Sequence, residues 1–273
     1  QHVNAINSLK TRTGYILVDG TDILVMQELL KPEELERYDR QIKLFGIDGQ
    51  LKLKNSRVLV VGLGGLGSPA SIYLAAAGVG KLVIVDKEKV ELSNLNRQIL
   101  YSTRDLGRPK ALVAFEKLKE LNPNVEVVPV QKDADEELIE SLIREVDLVV
   151  DGLDNWRTRF IVNKACVKFR KPFVHGGVQG LYGQVMVIVP GKTPCLSCIL
   201  PREPAEEKPG LPVLGPTPGL IAMIQVTEAI KLLTGYGAPA LNKLIVYDGY
   251  NMKFHEISVT RNPQCPTCGW IKE

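Results

Sequence analysis

Three groups of residues have types and spacings that could do chemistry. The first is the run "VGLGGLGSPA", Val61 to Ala70, which follows the apolar run Val58 to Val60. Gly62, Gly64 and Gly67 stand there at G-x-G-x-x-G spacing, with Gly65 between them. Such a turn opens a helix whose first N–H groups can approach a phosphate closely, so a nucleotide is the expected ligand. Asp86 closes the next β-rich run, where an acid accepts from ribose hydroxyls. Glycines and acid together do not say which nucleotide. The loop that follows, "KEKVELSNLNRQILYSTRDLGRPK", brings Asn94, Arg97, Gln98 and Lys110 beside the site. A hydride carrier needs few cations near its pyrophosphate, because the helix N-terminus already donates to it. Attack at the α-phosphorus of a triphosphate leaves charge on the departing pyrophosphate, and a bidentate Arg97 with a point-charge Lys110 suits that demand.

The second group is Asp154 in "VVDGLDNWRTR", just beyond a buried apolar strand. A carboxylate at that end of a parallel sheet can hold Mg²⁺ against phosphate oxygens. It can also serve as the N-cap of the helix that begins near Asn155, since Asp is a favoured cap. The third group is Cys195 and Cys198 in "PCLSC" with Cys265 and Cys268 in "QCPTC". Two C-x2-C pairs can close a tetrahedral four-thiolate zinc site, and a closed set leaves no position for water, so the metal would be structural. Cys166 lies in a mixed apolar run and reads as a small buried hydrophobe. His175 in "FVHGGVQG" ends a strand near the sheet's carboxyl side, where it could approach a substrate, and reads first as a structural histidine, while His2 and His255 carry no positional signal.

These residues need a scaffold. Between Ser56 and Gly180 short β-branched runs at Arg57 to Val61, Leu82 to Asp86, Val125 to Val130, Asp147 to Asp151 and Pro172 to His175 alternate with helix-like segments. That alternation predicts a doubly wound, Rossmann-like α/β fold with a mostly parallel sheet. The later runs "KLIVYDGY" and "MKFHEISV" are expected to extend or cap it as antiparallel strands. Ahead of it, Lys31 to Lys54 reads as short helices broken at Gly46 and Gly49, with Pro32 in a first helical turn. Asp19-Gly20 predicts a small hairpin in an extension spanning residues 1–31, leaving residues 32–273 as the main unit. Ile199 to Pro218 contains six prolines and two glycines, a composition suited to a semi-rigid cover over an extended peptide tail.

Composition bounds the function classes. The chain has 273 residues, 45% of them hydrophobic, and 34 basic residues against 31 acidic ones give a net charge of +3. A field that weak gives no reason to expect a nucleic acid or membrane partner. No apolar run approaches the roughly 20 residues that span a bilayer, and the first residues lack a signal-peptide pattern, so a cytoplasmic location is expected. Five cysteines, four of them in C-x2-C pairs, then favour metal ligation over a disulfide framework.

The runs "RYDRQIKLFGIDGQ", "RVLVVGLGGLGSPASIYLAAAGVGKLVIVDKEKVELSNLNRQ", "GRPKA" and "DGLDNWRTRFIVNKAC", followed by the paired C-x2-C motifs, occur in one order. Together they resemble the adenylation domain of the ubiquitin-activating enzyme superfamily, and within it the MoeB, ThiF and HesA type enzymes, over about Pro32 to Gly269. The resemblance implies ATP-dependent adenylation of the C-terminal glycine of a ubiquitin-like sulfur-carrier protein with a Gly-Gly tail. The products would be an acyl-adenylate and pyrophosphate. It implies that the Gly62 to Gly67 turn cradles ATP, Asp86 binds ribose, Arg97 and Lys110 contact phosphates among Asn94 and Gln98, and Asp154 serves Mg²⁺. It further implies a homodimer, because Arg40, at the position of the family's "RY-x-RQ" arginine, would reach into the partner subunit's ATP site. In one respect the chain departs from some members. Their crossover loop carries a cysteine that forms a thioester or acyl disulfide, and "PREPAEEKPGLPVLGPTPGLI" has none, Lys208 standing near its place. Two other readings fit parts of the pattern: a nicotinamide or flavin oxidoreductase with a structural zinc, and a scaffold that binds a ubiquitin-like protein without activating it.

Overall fold

In a computed structural model, residues 30–204 and 210–271 are described. The hairpin expected around Asp19-Gly20 and the position of Lys208 lie outside the described residues. The β-branched runs become strands β1 (Arg57–Val61), β2 (Lys81–Val85), β3 (Glu126–Val130), β4 (Leu148–Asp151) and β5 (Phe173–Gln179), followed by β6 (Tyr182–Ile188), β7 (Lys243–Asp248) and β8 (Lys253–Ser258). They form one sheet in the order β3-β2-β1-β4-β5-β6-β7-β8. Pairing is parallel from β3 to β5 and antiparallel from β5 to β8. The later strands therefore extend the sheet.

Side chains alternate across a strand, so β1 divides its residues between two cores. Val58 and Val60 pack with Leu82 and Ile84 against α2 (Asp39–Asn55), α3 (Gly67–Ala77), α4 (Lys110–Leu121) and α8 (Pro216–Thr234). Leu59 and Val61 face the other way, with Val83 and Val85, toward α5 (Glu136–Arg144) and α6 (Trp156–Lys168). Helices cover both faces of the parallel half, as a doubly wound sheet requires. The chain leaves β1 toward β2 and β3 and later returns to place β4 on β1's other side. The carboxyl ends of β1 and β4 thus bound the topological switch point, where open α/β sheets bind ligands.

Pro32 opens the short α1 (Pro32–Arg37) as expected. The reading of two glycine breaks after it needs correction. Gly46 is non-helical, with φ 76° and ψ 173°, but Gly49 stays inside α2. Gly49 is there for space, since a Cβ would lie 2.5 Å from the Phe45 ring. The proline-rich crossover returns to the sheet through its last residues: Gly180 N–H donates to Pro212 O (2.7 Å) and Leu214 N–H to Gly180 O (3.0 Å). Among the described residues no helix is long and apolar enough to cross a membrane.

Candidate functional site

The glycine turn sits at the switch point, and Gly62 and Gly67 are explained by what approaches them. Gly62 has φ +87°, and a Cβ on it would meet Gly152 O at 2.6 Å; one on Gly67 would meet Gly62 O at 1.8 Å. The turn after β1 therefore packs directly on the backbone after β4, at the start of α3.

Asp86 supports this turn from β2. Its Oδ2 accepts from Leu63 N–H (2.8 Å) and its Oδ1 from Glu88 N–H (2.8 Å). The Leu63 carbonyl in turn accepts from the buried Tyr101 hydroxyl at 3.1 Å. Burial raises the Asp86 carboxyl above the usual range, and the nearby Lys110 ammonium opposes that rise. Sequence reasoning missed Tyr101, because an aromatic in a loop carries no signal of what its hydroxyl reaches.

The two predicted phosphate cations differ in setting. Lys110, the first residue of α4, is only 2% exposed, and its Nζ donates to Glu88 Oε2 at 2.6 Å. Arg97 is half-buried, with Nη1 donating to Ser93 O (2.8 Å) and to Asn96 Oδ1 (3.1 Å). Its Cδ would be 3.5 Å from a Cβ on Gly65, which places the stem against the turn. Gln98 is buried with Nε2 3.7 Å from where a Gly64 Cβ would stand, and its Oε1 has no partner among the described residues. Buried Asn94 accepts from Glu91 N–H at 3.0 Å and shapes the loop.

For Asp154 the capping alternative is set aside. The N-cap of α6 is Asn155, whose Oδ1 accepts from Thr158 N–H at 2.9 Å. Asp154 is exposed on the loop whose Gly152 backs the glycine turn. Arg40 is not part of this group. It lies on α2 with a side chain 96% exposed and its ion-pair partner Asp39 4.0 Å away.

Behind the Asp154 loop lies a buried polar cluster. Asp151 closes β4 fully buried, and its Oδ2 takes Arg159 Nε (3.1 Å) and lies 2.6 Å from His175 Nδ1. Burial alone would raise the Asp151 carboxyl; the Arg159 guanidinium and the His175 bond outweigh it and hold the carboxyl below the usual range. His175 is fully buried, and burial pulls its imidazole down toward the neutral form. The structural reading of this histidine agrees with that setting.

The four cysteines meet on the α6 side of the sheet. All four Sγ atoms lie within 4.8 Å of one another, with Cys195 to Cys265 at 3.7 Å and Cys198 to Cys268 at 3.4 Å. A disulfide would need about 2.05 Å. Tetrahedral zinc with Zn–S bonds of about 2.3 Å puts its sulfurs about 3.8 Å apart, so this donor set fits zinc. Asn262 N–H points at Cys198 Sγ (3.4 Å), and Asn163 Oδ1 accepts from Leu196 N–H (3.0 Å), orienting the first ligand pair. Cys166 is fully buried, and burial pushes its thiol up, as a small hydrophobe requires.

Comparison with known proteins adds to this geometry. The model of the ThiF family matches residues 38–267. The sulfur carrier protein adenylyltransferase of Thermus thermophilus is 44% identical over 253 residues, covering 87% of this chain and 92% of that protein. The molybdopterin-synthase adenylyltransferase of Escherichia coli is 43% identical over 245 residues, covering 88% and 98%. Among solved structures, E. coli MccB with ATP aligns with a TM-score of 0.77 at 28% identity, over 89% of this chain and 76% of that one.

Proposed function

The chain belongs to the ThiF family, and from that premise we propose that it is an adenylyltransferase that activates a sulfur-carrier protein at its C-terminal glycine. In the reaction a carboxylate oxygen of that glycine bonds to the α-phosphorus of ATP. The bond from that phosphorus to the α,β-bridging oxygen breaks, and pyrophosphate leaves with the electron pair. The nucleophile arrives as a carboxylate, so the enzyme needs neither a nucleophile of its own nor a general base. Catalysis is positioning together with charge stabilisation.

The turn from Gly62 to Gly67 receives the phosphates on backbone N–H groups, and Asp86 takes the ribose hydroxyls. Arg97 and Lys110 stabilise the charge that grows on pyrophosphate. For Lys110 this means exchanging Glu88 for phosphate oxygens. Asn94 and Gln98 complete the pocket wall, where Gln98 Oε1, without a partner among the described residues, offers an acceptor. Asp154, an acidic side chain left free of capping, has the donor chemistry to hold Mg²⁺, which when bound would neutralise phosphate charge. Arg40 would act on the partner subunit's site in a homodimer. Cys195, Cys198, Cys265 and Cys268 would hold zinc for structure alone.

The observation that carries this reading is the meeting, at one switch point, of the glycine turn with Arg97 at Gly65 and with the Asp154 loop at Gly152. A direct test supplies ATP labelled at the α-phosphate, Mg²⁺ and a purified carrier ending in Gly-Gly. Label should pass to the carrier, and none should pass from the γ-position. Labelling of no carrier, with NAD rather than ATP raising the Tm, would support the oxidoreductase instead.

A further inference from the structure

The residue before Asp154 is held at both ends. Leu153 N–H donates to Asp151 Oδ1 at 2.9 Å, and the Leu153 carbonyl accepts from Arg159 Nη2. The residue after it, Asn155, is fixed as the α6 cap. Asp154 is thus an exposed carboxylate between two immobilised neighbours. The clamp is itself braced: Arg159 binds Asp151 through Nε and Gly176 O through Nη2 (3.2 Å), and its guanidinium lies over the Trp156 ring, 5.0 Å from the centroid. His175 bonds Asp151 from β5, and Gln184 Nε2 faces the other ring nitrogen at 3.2 Å. Gln225 Nε2, from α8, donates to Asp151 O (2.8 Å) and Val174 O (3.0 Å), locking the ends of β4 and β5 together. The Leu63 backbone on the facing loop is clamped in the same manner, by Asp86 on its N–H and Tyr101 on its carbonyl.

A buried Arg–Asp–His cluster is a costly way to obtain stability, because desolvation offsets most of the attraction and apolar side chains of similar volume do as well. What such a cluster supplies is fixed geometry. We propose that Asp151 and Arg159, braced by His175, are positioning residues that hold the Leu153 backbone on both sides and so aim the Asp154 carboxylate at the metal on the triphosphate. Arg159 suits this task where Lys would not, since one planar fork reaches Asp151 and two carbonyls at once. The inference rests on the reading of Asp154 as the Mg²⁺ holder.

The test is calorimetric binding of ATP with and without Mg²⁺, the ratio of the two Kd values being the readout. Asp154→Asn should abolish most of the gain that Mg²⁺ gives. Arg159→Met and Asp151→Asn should reduce that gain by about 10- to 100-fold, the usual cost of removing a partner that orients a metal ligand. They should leave Mg²⁺-free ATP binding within about twofold of wild type, where general damage would weaken both. Arg159→Lys, which keeps charge but loses the fork, should fall between; if Arg159→Met fails to fold, the same ratio for Arg159→Lys decides. Asp154→Asn losing the gain while the clamp variants keep it overturns the positioning role and leaves the metal reading intact. Asp154→Asn keeping the gain overturns the metal reading and the proposal with it.

Discussion

At the scale of single residues, Arg97 and Lys110 are expected to matter by charge alone. Replacing either with Ala should lower kcat/KM for carrier adenylation by about 10²- to 10³-fold, as loss of one charge-stabilising donor does; steady-state release of pyrophosphate measures it. His175 carries a prediction about stability. Its imidazole is buried and titrates below its ordinary 6.5 in the folded chain, so the unfolded state takes up a proton first as pH falls. The stability it contributes is complete above pH 6.5 and lost as pH drops below that value. Thermal unfolding across that range should show a fall in Tm that His175→Gln flattens. The glycine turn and Asp86 could be read directly from the sequence, because a glycine at a fixed offset and an acid at a strand end are chemical signals. Asp151 and Arg159 could not. In "DGLDNWRTR" an arginine on a helix looks like a solvated one, and only the packing of Trp156 and Gly176 around it shows that it is buried.

At the scale of elements, the glycine turn is a packing constraint before it is a binding site. Gly67→Ala would drive a methyl into Gly62 O and should destabilise the fold by about 1–3 kcal/mol, the range of overpacked cores, while weakening ATP binding; denaturant unfolding and calorimetry read the two effects. The cysteine cluster ties α7 (Leu196–Ile199) to the segment around Cys265. Cys268→Ser should remove about one zinc per chain and cost a large share of the roughly 10 kcal/mol that a structural zinc can supply, seen as lost metal content and a lowered Tm. Strand positions were legible because β-branched runs mark them. The start of α6 was legible only to within a residue, since Asp154 and Asn155 are adjacent and both are good caps. The Asn155 bond to Thr158 decides between them, and no local pattern encodes which of the two will make it.

At the scale of the whole molecule, the order β3-β2-β1-β4 brings together loops that lie about ninety positions apart in the chain. The alternation of strands and helices predicted a parallel sheet, but the site also depends on Gly62 touching Gly152, a contact between distant segments that no single run announces. The proposed role of Arg40 in the partner subunit's site carries a test at this scale. Arg40→Ala and Lys110→Ala should each retain at most about 1% of wild-type activity alone, and an equal mixture after subunit exchange should regain about a quarter, since half the dimers then carry one intact site. The most direct measurement of the central claim is exchange of labelled pyrophosphate into ATP, with and without a sulfur carrier ending in Gly-Gly. Mg²⁺-dependent exchange should appear only when the carrier is present and disappear when its terminal glycine is removed. Exchange that ignores the carrier's tail, or its absence with every such carrier while ATP still binds, would contradict the claim.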